Sequence, residues 1–117
     1  MLSKPFLAMA FLAVAAAAHA DELTLDLPGA VSAERNTVTY SCDGGRSVKA
    51  EYVNAGPNAL AVVHHDGQAI VMVNVLSGSG ARYAGQQYIW WTKGNSADFY
   101  DLTKGEDAPA EFSCTAG

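Results

Sequence analysis

The chain has 117 residues, half of them hydrophobic, and a formal charge of −5, which suits one small domain with its own core. The acidic balance argues against nucleic acid and against an anionic membrane surface as partners, because both are bound by clustered lysine and arginine. It suits a basic protein partner, although solubility alone also explains a negative charge.

Residues 1–20 have the features of a signal peptide. Lys4 precedes an apolar run over residues 6–18, and Ala18-His19-Ala20 has the small-x-small pattern of a cleavage site. The alternative, an uncleaved anchor, is less favoured because a spanning helix needs about 20 apolar residues. We expect cleavage after Ala20 and a periplasmic protein without a membrane anchor, since the leader has no cysteine to lipidate. Without Lys4, six basic and twelve acidic side chains give a formal charge of −6.

An N-terminal arm of residues 21–36 precedes a series of short predicted strands. Leu23, Leu25 and Leu27 alternate in the arm, which fits a short edge strand or a flexible segment. From residue 37 onward, runs rich in Val, Tyr, Thr, Ile and Trp alternate with turn residues, a pattern typical of strands and hairpins. The predicted strands are 37–42, 47–54, 59–65, 68–76, 81–84, 87–92, 96–102 and 111–115.

Turn signals separate these runs. Asp66-Gly67 is a strong two-residue hairpin signal, and Ser77-Gly78-Ser79-Gly80 predicts an irregular loop. No segment keeps a helical period over two turns. About eight antiparallel strands at regular spacing therefore predict an all-β domain over residues 37–117, built as a small barrel or a sandwich.

Cys42 and Cys114 lie near the two ends of this domain. An even pair of cysteines in a small exported protein favours one disulfide. A metal or redox role is less favoured, because the sequence has no CxxC motif and no Cys/His cluster at ligand spacing. We expect no metal and no cofactor.

The residues that usually carry catalysis are not arranged for it. His64 and His65 are adjacent, so on a strand they point to opposite faces and cannot share a site. Ser79 lacks the GxSxG pattern of a nucleophile elbow. The carboxylates between residues 98 and 111 fall where solvated charges are usual. We therefore expect a protein that is not an enzyme.

Trp90 and Trp91 are adjacent on a predicted strand, so one ring faces the core and the other faces outward. The outward ring is either incidentally exposed or a platform for a ligand such as a sugar. A periplasmic glycan- or peptide-binding barrel is therefore the alternative function.

Two segments carry a resemblance to a known family. Residues 77–83 (SGSGARY) followed by residues 90–94 (WWTKG) are similar to the two signature segments of the MliC/PliC family of c-type lysozyme inhibitors. Flanking residues 40–42 and 112–114 also fit, so the resemblance extends from about residue 39 to residue 114. The missing leader cysteine points to the periplasmic, PliC-like branch.

The resemblance implies an eight-stranded antiparallel barrel that inserts a loop into the active-site cleft of c-type lysozyme and so helps the cell to evade host defence. The Ser79 hydroxyl would form hydrogen bonds with the catalytic carboxyl groups, and Gly80 would permit close approach of the loop backbone to the cleft. Lys93 would face the ionised carboxylate. Three further residues are expected to shape or line the contact: Arg82, Tyr83 and Tyr88. A homodimer is left open.

Overall fold

The structure, a computed structural model, describes residues 22–29 and 32–117; the predicted cleavage site lies outside them. Eight strands follow in chain order, and each pairs antiparallel with the next. They are β1 (Ala33–Cys42), β2 (Arg46–Ala55), β3 (Asn58–His65), β4 (Gln68–Val75), β5 (Ala81–Gly85), β6 (Tyr88–Lys93), β7 (Ser96–Asp101) and β8 (Phe112–Ala116). Pairing of β8 with β1 closes the sheet. The predicted all-β fold is confirmed, as a barrel rather than a sandwich.

β1 is longer than the sequence pattern indicated. It begins at Ala33 rather than at Thr37, so residues 33–36 of the predicted arm are strand. These residues are exposed and show no apolar alternation. They are held in strand by their register with β2, where Ala33 lies opposite Ala55. The bounds of the other seven strands lie within one residue of the prediction.

The core fills the inside of the barrel with every second residue of each strand. The largest fully buried side chains are Trp90, Phe99, Ile70, Met72, Val48 and Val63. The indole N–H of Trp90 donates to the Tyr52 hydroxyl at 2.8 Å. The Tyr52 hydroxyl also forms a hydrogen bond with the Tyr40 hydroxyl at 2.6 Å. Burial raises the pKa of Tyr52 well above its usual range. Trp90 is therefore a core residue whose polar atom is satisfied inside the barrel.

The predicted disulfide joins Cys42 to Cys114. The two residues lie opposite each other on β1 and β8 and are both buried. The bond therefore closes the barrel at the seam between its first and last strands.

Successive strands run in opposite directions, so the connections alternate between two ends of the barrel. The β4–β5 loop and the β6–β7 turn share one end, which we call the loop end. The β3–β4 and β5–β6 turns share the opposite end with the segment between β7 and β8. At that end Asp66 and Gly67 have φ of 48° and 74°, the left-handed pair that a tight two-residue hairpin requires. Within the described ranges, no helix is long and apolar enough to cross a membrane.

Candidate functional site

The β4–β5 loop, residues 76–80, is an exposed feature of the loop end. Ser79 and Gly80 are both exposed. The Ser77 hydroxyl donates to the Gly80 carbonyl at 3.2 Å, which tightens the turn of the loop. Among the residues that the structure describes, no side-chain hydrogen bond involves the Ser79 hydroxyl. That hydroxyl is therefore available to an external partner.

Gly80 presses this loop against the end of β6. Its φ is 64°, in the left-handed region that favours glycine. A Cβ at this position would lie 2.3 Å from the Thr92 carbonyl oxygen and 2.7 Å from Lys93 Cγ. Glycine is therefore required here both for the backbone angle and for the close approach.

Trp91 links the loop to the cationic side chains nearby. Its indole N–H donates to the Ser79 carbonyl at 2.9 Å. Lys93 Nζ lies 4.9 Å from the centre of the Trp91 ring, and Arg82 Cζ lies 5.8 Å from it. Both cations are within the range of cation–π attraction, which extends to about 6 Å. One indole thus contacts the loop and two positive charges.

Strand alternation and register explain this cluster. Trp91 and Lys93 are two residues apart on β6 and so share its outer face. Arg82 on β5 lies directly opposite Trp91 in the register. Cross-strand neighbours of this kind have their Cβ atoms about 5 Å apart. The geometry follows once the β5–β6 hairpin is closed.

The structure brings together four of the six predicted binding residues, namely Ser79, Gly80, Arg82 and Lys93. Tyr83 faces inward with only 7 % of its surface exposed, and burial raises its pKa. It packs 5.7 Å from the Tyr52 ring, so it supports the sheet from inside. Tyr88 begins β6 at the opposite end of the barrel and stacks on Phe99 at 4.9 Å. Neither tyrosine lies on the exposed surface that carries Ser79.

Trp91 was missed as a member of the site. Strand alternation predicted one outward-facing tryptophan, as the structure has it, but it did not predict a hydrogen-bond partner for the indole N–H. The bond to Ser79 joins residues twelve positions apart on different elements. Its signal was the register, which sets β6 beside the base of the loop.

The histidines occupy different environments, as their adjacency predicted. His64 faces outward, with Nε2 3.3 Å from a Glu51 oxygen. His65 faces inward at the opposite end of the barrel, 4.6 Å from the Phe99 ring. In the part of the chain that the structure describes, no group of three or more His, Cys, Asp or Glu residues is placed to hold a metal ion.

The sequence matches the family described as membrane-bound lysozyme-inhibitor of c-type lysozyme over residues 40–108. Two similar proteins are named membrane-bound lysozyme inhibitor of C-type lysozyme. The one from Pseudomonas aeruginosa is 44% identical over 91 residues, which cover 77% of this chain and 72% of the relative. The one from Cupriavidus necator is 40% identical over 109 residues, which cover 92% and 86%.

Two solved structures share the fold. Pseudomonas aeruginosa MliC, in a crystal structure with hen egg white lysozyme, matches with a TM-score of 0.71 and 39% identity, covering 84% of this chain and 98% of that one. The periplasmic lysozyme inhibitor of C-type lysozyme from Salmonella typhimurium matches with a TM-score of 0.61 and 27% identity. That match covers 72% of this chain and 99% of the Salmonella one.

Proposed function

This chain belongs to the MliC family of inhibitors of c-type lysozyme, and we propose that it blocks the lysozyme cleft with the Ser79 loop and Lys93. It acts as an inhibitor and not as an enzyme, like its relatives. The observation that carries the mechanism is the exposed cluster at the loop end, where a hydroxyl on a glycine-flanked loop and an ammonium group share one surface.

The chemistry of the target fits this pair of groups. A retaining glycosidase of the lysozyme type works with one protonated and one ionised carboxyl group. A serine hydroxyl can accept a hydrogen bond from the first and donate one to the second. Lys93 adds a compact positive charge for the ionised carboxylate. Both groups stand at the end of the barrel, where neighbouring strands do not block access.

We further propose that the protein is exported and acts in the periplasm, where it protects peptidoglycan. Two relatives are named membrane-bound. Here both cysteines, Cys42 and Cys114, form the disulfide, so neither is available to carry a lipid. The intact mass of protein from a periplasmic extract tests this: it should correspond to a chain that starts at Asp21 with one disulfide and no acyl group. A mass that includes residues 1–20 would contradict it.

Alanine substitution tests the inhibitory surface. Lys93→Ala should cost about 2–4 kcal/mol of binding free energy, since it leaves a buried carboxylate unpaired in the complex. Ser79→Ala should cost about 1–2 kcal/mol for the loss of a hydrogen bond to a charged group. Inhibition constants against a c-type lysozyme, with thermal melts of the free proteins, measure both effects. Melting should stay near wild type, because both side chains are exposed.

Lys104→Ala is the matched control, because Lys104 is an exposed lysine at the opposite end of the barrel, paired with Glu111. It should leave inhibition unchanged. The mechanism is wrong if Ser79→Ala and Lys93→Ala inhibit as well as wild type. Retention of the protein on immobilised peptidoglycan, but not on immobilised lysozyme, would instead support the glycan-binding alternative. Trp90 is fully buried and cannot serve as a sugar platform, and the Trp91 ring has two cations beside it.

A further inference from the structure

We infer that Trp91 is a positioning residue, which fixes the Ser79 loop and Lys93 in a single arrangement before lysozyme is encountered. The inference rests on the proposed function and deepens it, because Trp91 would act through the two inhibitory groups rather than on the lysozyme carboxyl groups. Three contacts of the indole carry it.

The first contact is the hydrogen bond from the indole N–H to the Ser79 carbonyl, at 2.9 Å. It ties the centre of an exposed loop to a strand of the barrel. The bond from Ser77 to Gly80 lies within the loop and cannot fix the loop relative to the sheet. The indole bond can, and it acts on the backbone of the same residue whose hydroxyl is offered to the partner.

The other two contacts are on the ring. Lys93 Nζ lies 4.9 Å from the ring centre, and Arg82 Cζ lies 5.8 Å from it. A free lysine side chain samples many rotamers, and it loses that freedom when it pairs with a carboxylate in a complex. Attraction to the indole limits the sampling beforehand, so less freedom is lost on binding. The ring therefore sets the position of the charge as the N–H sets the position of the loop.

The same strand geometry makes the coupling rigid. Trp91 lies in the middle of the β6 pairing, opposite Arg82 on one side and Asp98 on the other. Its backbone is held by two neighbouring strands, whereas the loop is held at its ends. The indole therefore holds the β4–β5 loop to the rigid sheet of the barrel.

Two variants separate the N–H from the ring. Trp91→Phe keeps an aromatic face for Lys93 and removes the donor, so the inhibition constant should rise about fivefold, the range of one lost neutral hydrogen bond. Trp91→Leu removes both and should raise it roughly 30-fold. Tyr100→Phe is the matched control, because it removes a polar atom from an outward aromatic on β7 that has no bond to the loop. It should inhibit like wild type.

Two measurements distinguish positioning from direct contact with lysozyme. In the free protein, backbone ¹⁵N order parameters for residues 78–80 should fall in Trp91→Phe from the rigid value of about 0.85. In a double-mutant cycle on the inhibition constant, the Trp91→Phe and Ser79→Ala effects should be non-additive, since the first acts through the loop that the second disables.

Each result decides the matter. Inhibition by Trp91→Phe equal to that of Tyr100→Phe, with unchanged order parameters, overturns the positioning role and leaves the proposed function intact if Ser79→Ala and Lys93→Ala are weak inhibitors. Additive effects with a rigid loop overturn it as well, because Trp91 would then contact lysozyme directly. If Ser79→Ala and Lys93→Ala inhibit like wild type, the proposed mechanism, in which the Ser79 loop and Lys93 block the cleft, itself fails. Should Trp91→Leu melt early, the Phe variant alone supplies the answer.

Discussion

Trp90 and Trp91 are neighbours in the chain with the same side chain, yet they serve two different regions of the molecule. Trp90 is fully buried, and its indole N–H donates to Tyr52 inside the barrel. Trp91 is partly exposed, and its indole N–H donates to the Ser79 carbonyl outside it. One hydrogen bond completes the core and the other orders the loop end.

The difference teaches how a barrel this small separates stability from binding. Inside, every polar atom must be paired, because an unpaired buried donor costs about 1–3 kcal/mol. Within the described ranges, no buried side-chain nitrogen or oxygen lacks a partner. Outside, water can replace a lost partner, so a hydrogen bond there can be used to set geometry. Changes inside should therefore lower stability, and changes outside should lower inhibition.

Removal of the disulfide should have the largest effect, and it should fall on stability alone. Cys42 and Cys114 are 72 positions apart, and the loop-entropy relation gives about 4 kcal/mol for a closure of that length. The paired Cys42→Ala/Cys114→Ala variant should lose about that much free energy of unfolding in urea titration. At temperatures where it is still folded, its inhibition constant should match wild type. A higher inhibition constant in the folded variant would show that the seam also shapes the loop end.

Tyr52→Phe should have the second-largest effect, again on the free energy of unfolding. The change removes the acceptor of the Trp90 N–H and the partner of the Tyr40 hydroxyl. A buried donor without a partner should cost about 1–3 kcal/mol of unfolding free energy. Its counterpart is Trp91→Phe, which should melt near wild type and inhibit poorly. The separation of the two regions fails if Tyr52→Phe melts like wild type or if Trp91→Phe melts as early as Tyr52→Phe.

The pH dependence of melting provides a second check on Tyr52. Burial raises the pKa of this phenol far above its ordinary value of 10.0. A group whose pKa is raised on folding contributes stability below the unfolded pKa and loses it as pH rises. Wild type should therefore lose stability more steeply above pH ~10 than Tyr52→Phe does. Parallel curves would mean that the partly buried Tyr52 hydroxyl is not shielded from water in the folded protein.

Much of this fold was predictable from the sequence, because short motifs of glycine and polar residues mark its turns. Asp66-Gly67 and the loop at residues 77–80 fixed the strand ends to within one residue. The early start of β1 could not be predicted, since residues 33–36 carry no apolar alternation and are strand only through their register with β2. The barrel itself was expected from the resemblance, because strand count alone also allowed a sandwich.

The site was less predictable than the fold. Ser79 and Lys93 came from the resemblance, and the structure places them on one surface. Strand alternation alone would have separated Tyr83 from Arg82, since adjacent residues on β5 face opposite sides. Hairpin topology would have placed Tyr88 at the opposite end. The bond between Trp91 and Ser79 depends on loop conformation, which spacing does not encode.

The two glycines of the loop give the smallest and most closely matched test. Gly80 has a φ of 64°, and its Cβ would meet the Thr92 carbonyl at 2.3 Å. Gly78 does not have a positive φ, and its Cβ would meet nothing within 4 Å. Gly80→Ala must lift the loop from β6 and adopt a left-handed backbone, at a cost of about 1–2 kcal/mol. Gly78→Ala should change the free energy of unfolding by less than about 0.5 kcal/mol.

Thermal and urea unfolding of the two free variants measure this difference without lysozyme. The difference in stability locates the border between the core and the loop end, because Gly80 belongs to the exposed loop yet is in contact with the barrel. A loss confined to Gly80→Ala would show that the loop is anchored at its second glycine, with the Trp91 bond holding the residue just before it. Equal stability of the two variants would mean that the loop does not rest on β6. Lys93 and Ser79 would then lack a common support, and the separate roles of the two tryptophans would lose their structural basis.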